Sequence, residues 1–435
     1  MQYFSLNKKA PNVSFREAVI RGLAPDRGLY YPTDIKPLSR SFIQSMESFS
    51  DHEIAFEVIK QFVGDDIPMP ELNRIIKEVL SFDFPLVEIE PGVFSLELFH
   101  GPTLAFKDVG ARFMARCLGY FNRDESKAEK VTVLVATSGD TGGAVANGFY
   151  EVDGVEVVIL YPSGKVSEIQ EKQLTTLGKN IRALEVTGTF DDCQAMVKKA
   201  FLDDEFNGKV KLTSANSINV ARWLPQMFYY FIAYKKLKKE GKPIVFSVPS
   251  GNFGNICAGM MAQKIGLPVA QFVTGTNANN IVPQYLKTGH YTSRDTIATI
   301  ANAMDVAAPS NFIRIEELHD HDIEKLRNNL SGFSYSDAET RAAMNTLFAE
   351  YNYIADPHGA IGYSALKDFI EETGFDGIGV FLETAHPVKF LDVIPDVISG
   401  NIALPEEIAN IMHKEKIAKK ISIYSELKSS LIKGF

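Results

Sequence analysis

The sequence predicts an α/β protein in which two αβ lobes with parallel-rich sheets surround a central cleft, preceded by a small, mainly helical N-terminal domain. From about residue 93 onward, short apolar segments alternate with helical patterns, as they do when helices cover parallel strands. The segments 131–149 and 244–262 repeat one order, namely an apolar run, a turn with Ser-Gly, and a helix that opens on small residues. This internal similarity favours two related lobes that face each other across a cleft.

The first 90 residues form the predicted N-terminal domain. Ser14 precedes Glu17 by three residues, which is the pattern of a capped helix start. Pro85 and the pair Pro91-Gly92 indicate the boundary with the next domain. The elements predicted before this boundary are helices over 14–20, 51–63 and 71–80 and a turn-rich stretch over 22–32.

Six apolar strands follow in the alternating part of the chain. They are predicted over 131–136, 155–161, 181–186, 244–248, 269–274 and 377–382. Parallel sheets bind their ligands beyond the carboxyl ends of the strands, so the residues directly after each strand are the first candidates for function. Their connections should be right-handed crossovers.

The predicted domain boundaries follow from these patterns. We expect an N-terminal domain over 1–90 and a catalytic region over 91–400. A C-terminal helical extension should follow over 401–435. Within the catalytic region we expect a smaller lobe over about 110–205 and a larger lobe over about 206–400.

Composition excludes several classes of protein. The formal net charge of −9 argues against nonspecific binding to nucleic acid, which requires a basic surface. Three widely spaced cysteines form no CxxC pair, so neither a disulfide framework nor a zinc site is indicated. No uncharged run approaches the roughly 18 residues of a membrane span, and the first residues do not have the pattern of a signal peptide. We therefore expect a soluble, cytoplasmic protein that does not associate with membranes. The sequence does not reveal the oligomeric state, and a monomer is slightly favoured.

Lys107 follows the run LFHGPTLAF, at the point where an apolar strand gives way to a helical pattern. A solitary lysine is ordinarily a solvated surface residue. This lysine is followed by two glycine-rich strand-to-helix turns, which can bind anions through backbone amides. We therefore predict that Lys107 binds pyridoxal phosphate covalently, and a surface lysine is the alternative.

The turn SGNFGN (250–255) is the first of these anion-binding candidates. It follows an apolar strand and opens a helix, so its free amides suit a phosphate without a charged side chain. It matches neither the GxxxxGK[ST] phosphate loop nor the GxGxxG dinucleotide pattern. The alternative is a turn that is only structural.

The turn TSGDTGG (137–143) is the second. Its hydroxyls and amides suit a carboxylate or a second phosphate, although Asp140 fits poorly in an anion site. We expect Asp140 to point away, to cap the helix, or to accept a hydrogen bond from a cofactor hydroxyl. A helix cap with close packing is the structural alternative.

Two further segments carry polar groups. In SANSINVAR (214–222), Asn219 and Arg222 share a helix face, and the planar guanidinium suits a phosphate or carboxylate; a polar cap before a surface arginine is the alternative.

Thr384 follows a strand directly and could meet a heterocycle nitrogen. His386 precedes proline and is more typical of a turn than of an acid or base. Neither HExxH nor GxSxG occurs, so a catalytic metal and an α/β-hydrolase are not indicated.

Together these segments resemble the threonine synthase family, whose members are pyridoxal-phosphate enzymes of the tryptophan-synthase-β class (fold type II). The resemblance extends over nearly the whole chain in the same order. It is carried by VSFREAVIRGLAPDRGLYYP (13–32), LFHGPTLAFKD (98–108), ATSGDTGGA (136–144), NSINVARWLPQ (216–226), VPSGNFGN (248–255) and TAHPVKF (384–390).

The resemblance implies a role for each site residue. It implies an internal aldimine on Lys107, a hydrogen bond from Thr384 to the pyridine nitrogen, and Asp140 near the ring hydroxyl, where much of the wider class has asparagine. The cofactor phosphate would be bound by Gly251, Asn252, Phe253, Gly254 and Asn255. The substrate carboxylate would be bound by Thr137, Ser138, Gly139, Asp140 and Thr141. The substrate phosphate would be bound by Ser217, Asn219 and Arg222.

The implied reaction converts O-phospho-L-homoserine and water to L-threonine and phosphate, the last step of threonine biosynthesis. A phospho-lyase that releases 2-oxobutyrate and ammonia from the same substrate is the nearest alternative, because these residues do not decide the fate of the intermediate. A serine or threonine dehydratase does not need Arg222. A noncatalytic binding protein on this scaffold does not need Lys107.

Overall fold

The structure, a computed structural model, describes residues 1–123, 131–206, 209–292 and 294–433. Within these ranges the chain forms fourteen β-strands and nineteen α-helices, joined by turns and short 3₁₀ segments. No helix in the described ranges combines the length and apolar character needed to cross a membrane.

The strands have the following bounds. They are β1 (Gln2–Ser5), β2 (Val13–Ser14), β3 (Tyr30–Pro32), β4 (Leu86–Glu90), β5 (Val93–Glu97), β6 (Val131–Ala136), β7 (Val155–Pro162), β8 (Ile181–Val186), β9 (Lys211–Ser214), β10 (Ile244–Pro249), β11 (Gln271–Thr276), β12 (Leu330–Ser334), β13 (Ile378–Glu383) and β14 (Lys419–Ile421).

The helices have the following bounds. They are α1 (Phe15–Arg21), α2 (Arg40–Gln44), α3 (Asp51–Val63), α4 (Met69–Val79), α5 (Lys107–Arg123), α6 (Asp140–Gly148), α7 (Glu168–Thr175), α8 (Phe190–Phe201), α9 (Val220–Trp223), α10 (Met227–Leu237), α11 (Gly254–Lys264), α12 (Ile281–Thr288), α13 (Phe312–Leu318), α14 (Ile323–Arg327), α15 (Asp337–Tyr351), α16 (Pro357–Thr373), α17 (Asp396–Ser399), α18 (Glu406–Met412) and α19 (Tyr424–Lys433).

The chain divides into two compact units, each assembled from segments distant in sequence. The larger unit comprises Tyr31–Phe106 and Trp223–Ala403, together with Met1. The smaller unit comprises Gln2–Tyr30, Lys107–Arg222 and the described residues from Leu404 onward. The predicted boundaries near residues 90, 205 and 400 stay a prediction, because they concern sequence segments rather than packed units.

A six-stranded sheet organises the larger unit, with the strand order β12-β11-β10-β13-β5-β4. Its neighbours are parallel except for β4, which forms an antiparallel hairpin with β5 through Pro91-Gly92, where Gly92 has φ of 79°. Every residue of β10 and β13 is buried, as expected for central strands covered on both faces. The ends of β10 and β13 therefore lead into segments that the core holds in place.

A five-stranded, fully parallel sheet organises the smaller unit, with the order β14-β8-β7-β6-β9. The central strand β6 is buried along its whole length and leads directly into the turn that precedes α6. One edge strand, β14, comes from the C-terminal segment and pairs with β8 between Lys419↔Leu184 and Ile421↔Val186.

The predicted class of fold is confirmed, and five of the six predicted strands agree with the observed bounds to within one residue at each end. Strand β11 is displaced by two residues, and helix α3 has the predicted bounds. Ser14 caps α1 as expected, since its Oγ accepts the backbone N–H of Glu17 at 3.3 Å.

The helical prediction for the C-terminal segment was wrong in one respect. The strand β14 lies between α18 and α19, and only Ile421 of its three residues is buried. Lys419 and Lys420 are exposed, as charged side chains at a sheet edge commonly are, so this strand has no apolar pattern that a periodicity analysis could detect. The last two residues of the predicted extension lie outside the described residues.

Candidate active site

Lys107 is the first residue of α5, and Asp140 is the first residue of α6. Only 16% of the Lys107 side chain is exposed, and its Nζ lies 4.0 Å from Oδ2 of Asp140, whose side chain is 3% exposed. A carboxylate at a helix start is stabilised by the helix dipole. The two predicted residues are thus brought together in the smaller unit. Asp140 does not cap α6, because Gly139 stands at the N-cap position and no side chain makes a cap hydrogen bond there.

Gln170, which the sequence analysis did not single out, contacts Asp140. This buried side chain on α7 donates from Nε2 to Oδ1 of Asp140 at 2.9 Å. The polar residue could have been noticed from the pattern Ser167-x-x-Gln170, which is a capping box, but that pattern does not indicate a second contact.

Thr137 uses its hydroxyl to shape the turn before α6. Oγ1 accepts the backbone N–H groups of Gly139 at 3.0 Å and Gly142 at 2.8 Å and donates to the carbonyl of Gly139 at 3.1 Å. The half-buried Ser138 and Thr141 contribute backbone N–H groups that have no acceptor among the described residues. The amides of this turn, more than the Thr137 hydroxyl, can therefore bind a carboxylate.

Asn219 is fully buried and bonded within the smaller unit. Its Nδ2 donates to the carbonyls of Val19 at 2.9 Å and Ser214 at 3.2 Å, while Oδ1 accepts the N–H of Ala221 at 3.0 Å. These hydrogen bonds link the turn before α9 to Val19 of α1. Contact of Asn219 or of the half-buried Ser217 with a substrate stays a prediction.

Arg222 lies on α9 with only 4% of its surface exposed. Burial lowers the pKa of its guanidinium to about 10, and the nearby charge of Asp108 opposes this shift by raising it. The group is therefore a cation at neutral pH. Gly110 on α5 permits close packing here, because a β-carbon at this position would lie 2.5 Å from the carbonyl oxygen of Arg222.

In the larger unit, the turn between β10 and α11 carries the residues 251–255. The backbone N–H groups of Asn252, Phe253, Gly254 and Asn255 have no acceptor among the described residues. Phe253 adopts the left-handed conformation with φ of 60°, which turns the chain into α11. Four consecutive amides at the start of a helix are a suitable site for a phosphate.

Side chains around this turn fix its backbone. Nδ2 of Asn255 donates to the carbonyl of Pro249 at 2.8 Å, and Oη of Tyr230 donates to the carbonyl of Asn255 at 2.9 Å. Oδ1 of Asn252 accepts the N–H of Ser310 at 3.3 Å. A β-carbon at Gly251 would lie 2.8 Å from Cα of Met304, so only glycine fits.

Thr384 follows β13, as the sequence predicts, and is buried. Its carbonyl accepts the N–H of Phe106, the residue before Lys107 in the chain, at 2.9 Å. His386 caps the next 3₁₀ turn through Nδ1, which accepts the N–H of Val388 at 3.1 Å. Burial lowers the pKa of His386 to about 4, so its imidazole is neutral, and the expectation of a turn residue is confirmed.

A buried carboxyl pair next to Thr384 was missed. Oε1 of Glu383 accepts the N–H of Asp356 at 2.5 Å, and Nδ1 of His358 contacts Oδ1 of Asp356. Burial and the charge of Asp356 hold the pKa of Glu383 well above its ordinary value. The motif Asp356-Pro357-His358-Gly359 was the available signal, although its partner is distant in sequence.

The structure thus assembles two sets of groups. Lys107, Asp140, the 137–141 turn and Arg222 belong to the smaller unit, and the 251–255 turn and Thr384 belong to the larger unit. Among the residues described here, no group of His, Cys, Asp and Glu side chains is arranged to hold a metal ion. Binding of one cofactor by both sets stays a prediction.

Family models match almost the whole chain. The model described as pyridoxal-phosphate dependent enzyme covers residues 85–380. The model of the threonine synthase N terminus covers 2–80, and that of the threonine synthase C-terminal region covers 359–429.

Curated relatives and solved structures agree with these matches. Threonine synthase of Buchnera aphidicola subsp. Baizongia pistaciae is 42% identical over 99% of this chain and 100% of its own length. Threonine synthase of Escherichia coli K12 is 42% identical over 94% of each chain. The crystal structure of the Escherichia coli threonine synthase superposes with a TM-score of 0.92 at 40% identity, covering 100% of both chains. The pyridoxal-phosphate-bound threonine synthase of Brucella melitensis gives 0.92 at 34% identity, covering 100% of this chain and 99% of that chain. The chain therefore belongs to the threonine synthase family of pyridoxal-phosphate-dependent enzymes.

Proposed function

We propose that this enzyme converts O-phospho-L-homoserine and water to L-threonine and phosphate. One observation carries the proposal beyond family membership: the smaller unit holds Lys107 beside Asp140 and also a buried cationic guanidinium, Arg222. An arginine fork suits a phosphate, and an enzyme acting on a substrate without phosphate would not need one.

The cofactor fits the residues present. We propose that Lys107 binds pyridoxal phosphate covalently through Nζ as a Schiff base and that the amides of 251–255 hold its phosphate, which is supported by their lack of protein acceptors among the described residues. Thr384 donates to or accepts from the pyridine nitrogen, and Asp140 lies by the ring hydroxyl. When bound, the cofactor supplies the electron sink for carbanionic chemistry.

The protein supplies placement and proton transfer. With the cofactor bound, the amine of Lys107 would remove the proton from Cα of the substrate as a general base, assist proton movement at Cβ and return a proton to Cα at the end. The backbone amides of the 137–141 turn bind the substrate carboxylate. Arg222, with Ser217 and Asn219, binds the substrate phosphate and stabilises its charge as the bond to Cγ breaks.

The proposal includes a cytoplasmic location. It is supported by Cys117, Cys193 and Cys257, which are all buried thiols, because thiols persist in reducing compartments. Burial raises the pKa of Cys193 and of Cys257 to about 12, which keeps both unreactive. A monomeric state stays a prediction, which sedimentation of the purified holoenzyme tests.

Product analysis tests the reaction. The purified holoenzyme is incubated with O-phospho-L-homoserine, and threonine, phosphate, 2-oxobutyrate and ammonia are quantified. We expect threonine and phosphate in equal amounts. Release of 2-oxobutyrate and ammonia instead would identify the phospho-lyase, and absence of phosphate release would contradict the proposed substrate.

A second measurement tests the role of Lys107. Borohydride reduction of the holoenzyme followed by mass spectrometry should place the pyridoxyl group on Lys107. Lys107→Ala should fold, as circular dichroism reports, and should show no turnover without added amine. Pyridoxyl on another lysine, or substantial activity of Lys107→Ala, would contradict the assignment.

A further inference from the structure

Gln170 is a buried polar side chain that the proposed reaction does not use. It stands at the third position of α7, after the cap residue Ser167, and 1% of its surface is exposed. Its backbone N–H donates to Oγ of Ser167 at 3.3 Å, and the N–H of Ser167 donates to Oε1 of Gln170 at 3.2 Å. Oε1 of Gln170 is therefore an acceptor in the helix cap.

This commitment fixes which way the amide faces. A backbone N–H needs an acceptor, so Ser167 selects the orientation with Oε1 toward itself and Nε2 toward Asp140. Nε2 then donates to Oδ1 of Asp140 at 2.9 Å. The hydrogen bond holds the carboxyl in one rotamer, whose second oxygen, Oδ2, lies 4.0 Å from Nζ of Lys107.

The turn before α6 is shaped to admit this amide. A β-carbon at Gly139 would lie 2.4 Å from Cδ of Gln170, and Gly139 has φ of 139°, which L side chains rarely adopt. The absence of a side chain at Gly139 therefore makes room for Gln170. Gly139, the capping box of Ser167 and the hydrogen bond from Nε2 together fix the contact between Gln170 and Asp140.

We propose that Gln170 is a positioning residue that orients the Asp140 carboxyl toward Lys107. The proposal rests on the proposed function, in which Lys107 carries the cofactor. Gln170 acts through Asp140, to which its Nε2 donates.

The residue type at 170 separates this role from helix capping. Glutamate in place of Gln170 would complete the capping box equally well. It would also set a second carboxyl against Oδ1 of Asp140, and two carboxyls in contact do not both ionise readily. Only the contact with Asp140 requires an amide.

The test compares five full-length holoenzymes: wild type, Gln170→Glu, Gln170→Met, Asp140→Asn and Ser167→Ala. The pH midpoint of the absorbance change of the bound cofactor is measured for each, together with the melting temperature. Asp140→Asn should lower the midpoint by about one unit or more, because a nearby negative charge favours the protonated nitrogen. Asp108, which follows Lys107 in the chain, and Arg222, whose pKa the charge of Asp108 raises, are unchanged in all five proteins.

Gln170→Met should shift the midpoint in the same direction as Asp140→Asn, since the carboxyl is no longer held. Gln170→Glu should add a second pH transition, and its melting temperature should fall relative to the wild type as pH rises, because the added buried carboxyl has a raised pKa. Ser167→Ala should lower the melting temperature and leave the midpoint unchanged. A wild-type titration in both Gln170 variants, or a Ser167→Ala titration that matches theirs, would overturn the proposal.

A wrong assignment of Lys107 as the cofactor lysine gives a different result from a wrong assignment of Gln170. If borohydride reduction does not place the pyridoxyl group on Lys107 in the wild type, the assignment of Lys107 is wrong. If it does, and Asp140→Asn alone shifts the midpoint, then Asp140 faces Lys107 without the help of Gln170. The two outcomes are therefore distinguishable in the same set of proteins.

Discussion

His358 holds the backbone of Ala303 in place: its Nε2 accepts the N–H of Ala303 at 3.2 Å. Because Nε2 accepts, the ring proton is on Nδ1, which faces Oδ1 of Asp356. The carbonyl oxygen of Ala303 in turn would lie 2.9 Å from a β-carbon at Gly251. A buried imidazole thus supports the segment against which the 251–255 turn packs.

His358→Leu should lower the free energy of unfolding and weaken cofactor binding. The substitution leaves the Ala303 amide without its acceptor, and an unsatisfied buried group costs about 1–3 kcal/mol. It also removes the imidazole donor to Oδ1 of Asp356, which keeps the backbone N–H of residue 358 at 2.7 Å. Denaturant unfolding and titration of the apoenzyme with pyridoxal phosphate measure the two effects. His413→Leu at the exposed end of α18 is the control and should change neither.

Gly359→Ala should be severely destabilising. A β-carbon at this position would lie 1.5 Å from Oε2 of Glu383, which is fixed in a buried network. We expect a loss of about 4 kcal/mol or more, in the range of changes that disrupt a packed core. Gly400→Ala, whose β-carbon would have no atom nearer than 3.9 Å, should be nearly neutral in the same unfolding experiment.

Glu383→Gln should make stability less dependent on pH. Burial raises the folded-state pKa of this carboxyl well above 4.5, so the folded protein binds a proton that the unfolded chain loses. The wild type therefore loses stability as pH rises above about 4.5 toward the folded pKa. The stability gained by the substitution should grow between pH 5 and pH 8.

The exposed substitution Glu407→Gln on α18 is the control for this prediction. It removes one carboxyl from the surface and should give an unfolding free energy parallel to the wild type at every pH. A constant difference between Glu383→Gln and the wild type over the same range would show that Glu383 is ionised in the folded protein.

Arg222→Lys should impair use of O-phospho-L-homoserine without loss of the cofactor. Lysine keeps the charge but not the planar fork that binds phosphate through two hydrogen bonds. We expect KM to rise about tenfold, equivalent to roughly 1.4 kcal/mol of binding. The absorbance of bound cofactor should be unchanged, and its loss would assign Arg222 to the cofactor instead. Arg40→Lys on the surface is the control.

Local patterns were sufficient for the six predicted strands and for the position of Lys107 at the start of a helix. Strand β6 is an almost continuous apolar run, strand β8 has four apolar residues among its six, and Lys107 stands where a helical pattern begins. These features depend on neighbouring residues alone. The Asp356 and Glu383 pair depends on residues 27 apart in sequence, and its protonation depends on burial that only the packed structure provides.

The direction in which polar side chains point was the second limit on predicting the site from the sequence. Thr137, Asn219 and Asn255 lie in the predicted turns. The side chain of each forms hydrogen bonds with backbone groups of the protein. A sequence does not distinguish a polar side chain that meets a ligand from one that shapes the loop around it. Gln170 shows the converse, because a capping pattern concealed its contact with Asp140.

The four amides of residues 252–255 have a consequence for mutagenesis. Backbone donors persist through every side-chain substitution except proline, so alanine scanning of this turn removes no donor. Sensitivity should instead concentrate at residues that set the path of the chain, such as Gly251 and Phe253. Replacement of each amide by an ester would measure the proposed phosphate contacts one donor at a time.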